Sequence, residues 1–180
     1  IAGALLLSTS ANAACGKITI ADMNWSSASL MANVDKAMLE AMGCEVELVA
    51  GSTMPTFTSM NETSSPDVAP EIWANAFKDL VASATDAGRL HVANPEPMSG
   101  LGEGWWVLPA TLDAHPELTS VEAILARPDL FPDNEDPSKG AFHGCPSGWS
   151  CQLINQSLFK AWDMEAKGWK LVDPGSNAGL

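Results

Sequence analysis

Two kinds of residue in this sequence have types and spacings that could do chemistry. There are seven tryptophans and no tyrosine, and Cys145 and Cys151 flank one of those tryptophans in the stretch GCPSGWSC. An indole face is electron-rich. It attracts a cation that cannot donate hydrogen bonds by roughly 0.5–2 kcal/mol once water is excluded, which is how aromatic cages hold quaternary ammonium groups. Trp25 follows the first strand pattern, Trp73 follows the third, Trp105 follows a glycine-rich stretch and Trp149 sits between the two cysteines. Converging faces from these four would supply much of the ~8 kcal/mol that micromolar binding needs. The other three read as structural: Trp162 lies on an apolar helical stripe, Trp106 points away from Trp105 if WWVLP is a strand, and Trp169 flanks a strand.

The cysteines number four, Cys15, Cys44, Cys145 and Cys151. An even count in an oxidising compartment favours disulfides, and four cysteines admit three pairings. Cys145 and Cys151 are close enough to bridge locally, which favours that pair and leaves Cys15 for Cys44. A ring closed on Trp149 with Pro146 inside removes freedom that a ligand would otherwise have to remove at each binding event. A second class of function uses the same residues differently: a secreted hydrolase with a Cys/His or Ser/His pair, His143 standing near Cys145. It requires a free nucleophile, and the G-x-S-x-G elbow is absent around Ser147. The histidines His91, His115 and His143 are scattered, so no metal site is expected, and nothing calls for a cofactor. The acidic loop PDNEDPSKG, with Asp133, Glu135 and Asp136, lacks the spacing of a calcium loop and reads as solvated.

These groups need elements to hold them. The opening IAGALLLSTSANA has the apolar run and A-x-A ending of a signal-peptide remnant over residues 1–13, which implies export to the periplasm. KITIAD predicts a strand, Leu30, Val34, Met38 and Met42 predict the buried face of a helix stopped at Gly43, and CEVELVAG predicts a second strand. Asp67 to Ile72 predicts a third strand feeding a helix from Asn75 to Gly88. Such β-α alternation is the signature of an α/β fold with an open, mostly parallel sheet, whose ligands lie past the carboxyl ends of the strands. Gly100, Gly102 and Gly104 mark a crossing between lobes or a turn. WWVLP then predicts a strand, SVEAILA a helix, and the residues after Cys151 a helix burying Leu153, Ile154, Leu158, Ala161 and Trp162. The division expected is a first α/β lobe over 14–103 and a partial second lobe over 104–180.

Charge restricts the partners. Acidic residues outnumber basic ones 22 to 9, a net charge of −13, which disfavours nucleic acid and anionic membrane surfaces and favours cationic ligands. Arg89 and Arg127, the two arginines, sit outside the candidate loops, so no carboxylate clamp is visible. Glu103, beside Trp105, is a carboxylate placed to strengthen attraction for a cation, or a plain hinge residue.

The order strand, Trp25, long helix, GCEVELV, PEIWANAF, GWWVLP, HPELTSVEAI and GCPSGWSCQLINQSLFKAW resembles the periplasmic substrate-binding proteins of ABC transporters for glycine betaine, choline and related compounds, including trimethylamine N-oxide. The likeness runs over essentially the whole mature chain, and GCPSGWSC is its most specific part. It implies a two-lobed periplasmic-binding-protein fold of type II and a membrane permease as partner. It also implies cage positions at Trp73, Trp105 and Trp149, with Trp25 as a fourth. Members of the group are longer than this chain, so the resemblance implies a fragment missing its C-terminal part.

Overall fold

The structure is a computed structural model that describes residues 15–93 and 103–175. The expected signal-peptide remnant, and Gly100 and Gly102 of the expected crossing, lie outside the described residues. The chain divides into two compact units, one running through Ser52 and resuming over Thr56–Ile72, the other comprising Thr53–Pro55 and the chain from Trp73 onward. The expected lobe boundary at 103/104 adjoins the undescribed segment 94–102.

The first unit is built on a β-α-β turn of chain. Strand β1 (Lys17–Met23) pairs in parallel with β2 (Glu45–Gly51), in register from Lys17 opposite Glu45 to Met23 opposite Gly51. Helix α1 (Ser26–Ala41) is the crossover and packs on both strands. Ile20, Ala32, Cys44 and Val46 form one buried cluster, with Leu39 and Leu48 against it; Ala21, Met23 and Ala28 form another. Completely burying a side chain the size of Ile20 contributes about 1.5–3 kcal/mol. The Cys15–Cys44 disulfide joins the chain just before β1 to the chain just before β2, so the covalent tie lies at the amino ends of the strands.

The buried face of α1 is not the expected one. Leu30, Val34, Met38 and Met42 are exposed, at 66%, 48%, 62% and 63%, whereas Ala28 and Ala32 are completely buried. Two alanines in contact with the strands let the helix axis approach closely, and that approach turns the larger apolar stripe outward. The predicted third strand is likewise reduced. Val68 makes a single parallel bridge to Ile20, with Ala21 N–H donating to Val68 O (2.8 Å) and Val68 N–H to Thr19 O (3.1 Å). Pro66 and Pro70 on either side have no N–H to extend a ladder. Asp67 serves instead as a clamp, accepting from the Thr19 N–H and hydroxyl, each at 2.7 Å. Helix α2 (Thr53–Thr63) follows β2.

In the second unit a 3₁₀ turn (Ala74–Phe77) runs into α3 (Lys78–Asp86), as the predicted helix requires. The WWVLP strand does not form. Residues 105–108 are irregular, and α4 (Pro109–Ala114) starts on Pro109, a residue suited to the first helical position because its missing N–H would be unpaired there anyway. Helix α5 (Val121–Leu125) is capped by Ser120, whose hydroxyl accepts from the Ala123 N–H. A second β-α-β turn closes the unit: β3 (Gly140–His143), α6 (Ser150–Ala161) and β4 (Trp169–Val172), the strands again parallel. Its core is Leu125, Met164 and Trp169, whose indole N–H donates to Leu125 O at 3.0 Å; Trp162, Phe142 and Phe159 pack against it. Leu153 and Ile154, expected inside, are 54% and 38% exposed, and α6 buries Ser150 and Asn155 in their place.

Candidate ligand-binding site

Three of the four candidate tryptophans occupy the same kind of position. Trp25 is the N-cap of α1, Trp73 of the 3₁₀ turn and Trp149 of α6, and in none of the three does the N-cap indole hydrogen-bond to the first turn. Trp25 and Trp149 correspond more closely still. Each stands past the carboxyl end of the first strand of its β-α-β turn, at the entry of the crossover helix, the end at which open α/β folds receive ligands. Trp25 belongs to the first unit; Trp73, Glu103, Trp105 and Trp149 belong to the second.

Trp25 is half-buried on the cluster of Ala21, Met23 and Ala28. Its indole N–H donates to Glu71 Oε1 at 2.7 Å, and the Ser27 hydroxyl donates to the same oxygen at 3.1 Å. A Cβ at Gly51, at the carboxyl end of β2, would stand 2.3 Å from Thr56 Oγ1 and force that buried hydroxyl to turn away.

The Trp149 loop is fixed from several sides. Cys145 and Cys151 are bonded, with Cα atoms 5.8 Å apart. Inside the ring Pro146 is completely buried and Gly148 takes φ +88°, a value open to glycine at little cost. Gly148 N–H donates to Gln152 Oε1 at 3.1 Å, and Gly148 O accepts from Met54 N–H at 3.0 Å. Gln152 is the third residue of α6 and reaches back past the N-cap to the residue before it, one position beyond the partner of a capping-box glutamine.

Trp105 is tied to the same helix. Its indole N–H donates to Asn155 Oδ1 at 3.0 Å, and Asn155 Nδ2 donates to Cys145 Sγ at 3.5 Å. Its ring lies 4.5 Å from that of Phe142 and meets Trp162 edge-on at 5.0 Å. The 3₁₀ turn that Trp73 heads also contacts α6. Helix α6 thus carries Trp149 as its N-cap, holds Trp105 through Asn155 and contacts the turn that follows Trp73. Trp73 itself is 49% exposed. Glu103 is exposed by area, yet partial desolvation pushes its carboxyl above the usual carboxylate range.

Sequence reasoning missed Glu71, Gln152 and Asn155. The one signal in the sequence was a polar residue at 155, three before Leu158 and seven before Trp162 on a face of the predicted helix, and it did not say what Asn155 would bond.

The other candidates resolve differently. Asp133 of the acidic loop is buried rather than solvated. It accepts from the backbone N–H groups of Glu135 and Asp136, and Lys170 from β4 donates to it at 2.9 Å and to Glu135 at 2.7 Å. The Lys170 ammonium holds the Asp133 carboxyl below its usual range and takes the place between these carboxylates that a bound cation would need. Among the described residues no cluster of three or more His, Cys, Asp or Glu could hold a metal, and no helix is long and apolar enough to cross a membrane. Both cysteines of GCPSGWSC are disulfide-bonded, so the nucleophile that a cysteine hydrolase would need is not a thiol here. Arg127 is engaged by Asp129 and Glu117.

Comparison with known families agrees with this geometry. Residues 16–180 match the model of the family described as the substrate-binding domain of the ABC-type glycine betaine transport system. That family binds solutes rather than transforming them, its fold is that of the periplasmic binding proteins, and the hydrolase alternative finds no support in it. With two β-α-β turns each presenting an indole at a strand's carboxyl end, and a match over nearly all of its length, the chain belongs to the family of substrate-binding domains of ABC-type glycine betaine transport systems.

Proposed function

We propose that the protein is an extracytoplasmic solute-binding protein that captures a small methylated amine, trimethylamine N-oxide, glycine betaine or choline, between tryptophan faces and delivers it to a membrane permease. The observation that carries this reading is the repeated placement of an indole as N-cap of the crossover helix, Trp25 on α1 and Trp149 on α6. Trp73 and Trp105 complete the proposed cage, and Glu103 adds negative charge beside it. Two disulfides fit an oxidising compartment outside the cytoplasm.

The polar end of the ligand separates the three candidates. Arg127 is occupied by its own carboxylates, which removes one guanidinium clamp and favours trimethylamine N-oxide with its single oxygen. The first-turn N–H groups of α1 and α6 are donors that suit the glycine betaine carboxylate, in line with the family's description. Exclusion of water from the indole faces would strengthen their attraction for the cation. Calorimetric titration with each of the three compounds tests the assignment. Micromolar or tighter binding of at least one is expected; binding of none overturns it.

A further inference from the structure

We infer that Glu71 is a positioning and specificity residue of this site, holding Trp25 by its indole edge and biasing that indole toward positively charged ligands. The inference rests on the proposed function and deepens it. All the groups involved lie in the first unit: Trp25 at the head of α1, Ser27 on its first turn, and Glu71 beyond the Val68 bridge to β1. Glu71 is 46 residues from Trp25 in sequence and half-buried, and one of its carboxylate oxygens accepts both the Trp25 indole N–H at 2.7 Å and the Ser27 hydroxyl at 3.1 Å.

That geometry does two separable things. A single short charge-assisted hydrogen bond to the indole N–H fixes the rotation of the ring about its side chain, so the face it offers is set before a ligand arrives. The carboxylate also acts on whatever meets that face. An indole donating to an anion is polarised, its ring becoming more electron-rich. A cation seated within ~6 Å of the ring centroid stands close enough to the carboxylate for direct attraction across a poorly screened path. A ligand of the same shape with carbon in place of the ammonium nitrogen gains from the fixed ring but not from attraction between that end and the carboxylate. Glu71 should therefore set the preference for ammonium over its carbon isostere, and that is a larger role than holding Trp25 in place.

Glutamine and glutamate differ here in charge while sharing a carbonyl oxygen that can accept both hydrogen bonds. The test compares wild type, Glu71→Gln, Glu71→Asp and Glu71→Ala, titrated with glycine betaine and, in competition with it, with the tert-butyl isostere in which carbon replaces nitrogen. Glu71→Gln is expected to weaken glycine betaine about tenfold and to leave the isostere, an anion that no longer meets a like charge, no weaker than in wild type. Glu71→Asp should keep most of the preference, and Glu71→Ala should weaken both ligands because Trp25 is released. Unfolding midpoints of the unliganded variants separate a site effect from damage to the fold, Glu71→Gln being expected within about 2 °C of wild type. Unchanged glycine betaine affinity in Glu71→Gln, or an equal loss for both ligands, overturns the inference and leaves the proposed function standing. A wild-type protein that binds none of the three methylated amines overturns both.

Discussion

Replacing Asn155 by leucine tests whether α6 supports Trp105 in the way described. The side chain is buried, its Oδ1 accepts from the Trp105 indole N–H at 3.0 Å, and its Nδ2 donates to Cys145 Sγ at 3.5 Å. Leucine keeps the branched skeleton with methyl groups somewhat bulkier than the amide O and NH2, so no cavity opens and the loss is chiefly one of hydrogen bonding. The half-buried Trp105 N–H then has no acceptor at that position, which costs about 1–3 kcal/mol, and the sulfur contact adds little. For a chain of this size about 2 kcal/mol lowers the thermal midpoint by roughly 4–8 °C. Thermal and urea unfolding followed by circular dichroism measure it, and the Trp105 indole proton should exchange with solvent faster in the variant. Ser157→Ala is the control on the same helix: its hydroxyl donates to Leu153 O within α6, and its removal should stay within about 0.5 kcal/mol. An Asn155→Leu variant as stable as wild type, with an unchanged indole proton, would refute the support that Asn155 is said to give.

Three further outcomes are expected. The Asp133 carboxyl, held down by Lys170, has a lower pKa folded than unfolded; it therefore stabilises the fold above about pH 4 and loses that contribution as pH falls through its folded value, so Asp133→Asn should flatten the acid limb of a stability–pH profile. Replacing Cys145 and Cys151 together by serine releases a ring whose closure is worth about 2 kcal/mol of chain entropy, and calorimetry should show ligand affinity falling by up to about thirtyfold while the circular dichroism spectrum stays near that of wild type. At Trp73, Trp105 and Trp149, phenylalanine should cost less affinity than leucine, since it keeps a weaker π face where leucine keeps only bulk; no such order in the titrations would count against the cage.

How much of this was legible in the sequence varies by element. The β1-α1-β2 turn could be read because alternation in CEVELVAG and the stop at Gly43 are local signals, and the Trp149 ring because its two cysteines are six residues apart. The orientation of α1 was not, because two apolar stripes run along that helix and which of them packs depends on how closely the strands let it approach. WWVLP looks extended until Pro109 is recognised as a helix start, and Asp67 to Ile72 looks like a strand until the two prolines are counted against its ladder. Strand β3, four residues long, is too short to carry a period. The groups that hold the indoles were hidden for a different reason. Glu71 and Asn155 act on tryptophans 46 and 50 residues away, and a polar side chain in sequence gives no sign of which distant N–H it will meet.

The central claim is that tryptophan faces hold a methylated ammonium by its charge rather than by its shape alone. The most direct measurement is calorimetric titration of the wild-type protein with glycine betaine and with its tert-butyl isostere under the same conditions. Cation–π attraction predicts that the ammonium compound binds more tightly by about 2 kcal/mol, close to thirtyfold. Equal affinity for the two would contradict the cage and, with it, the class of ligand assigned to the protein.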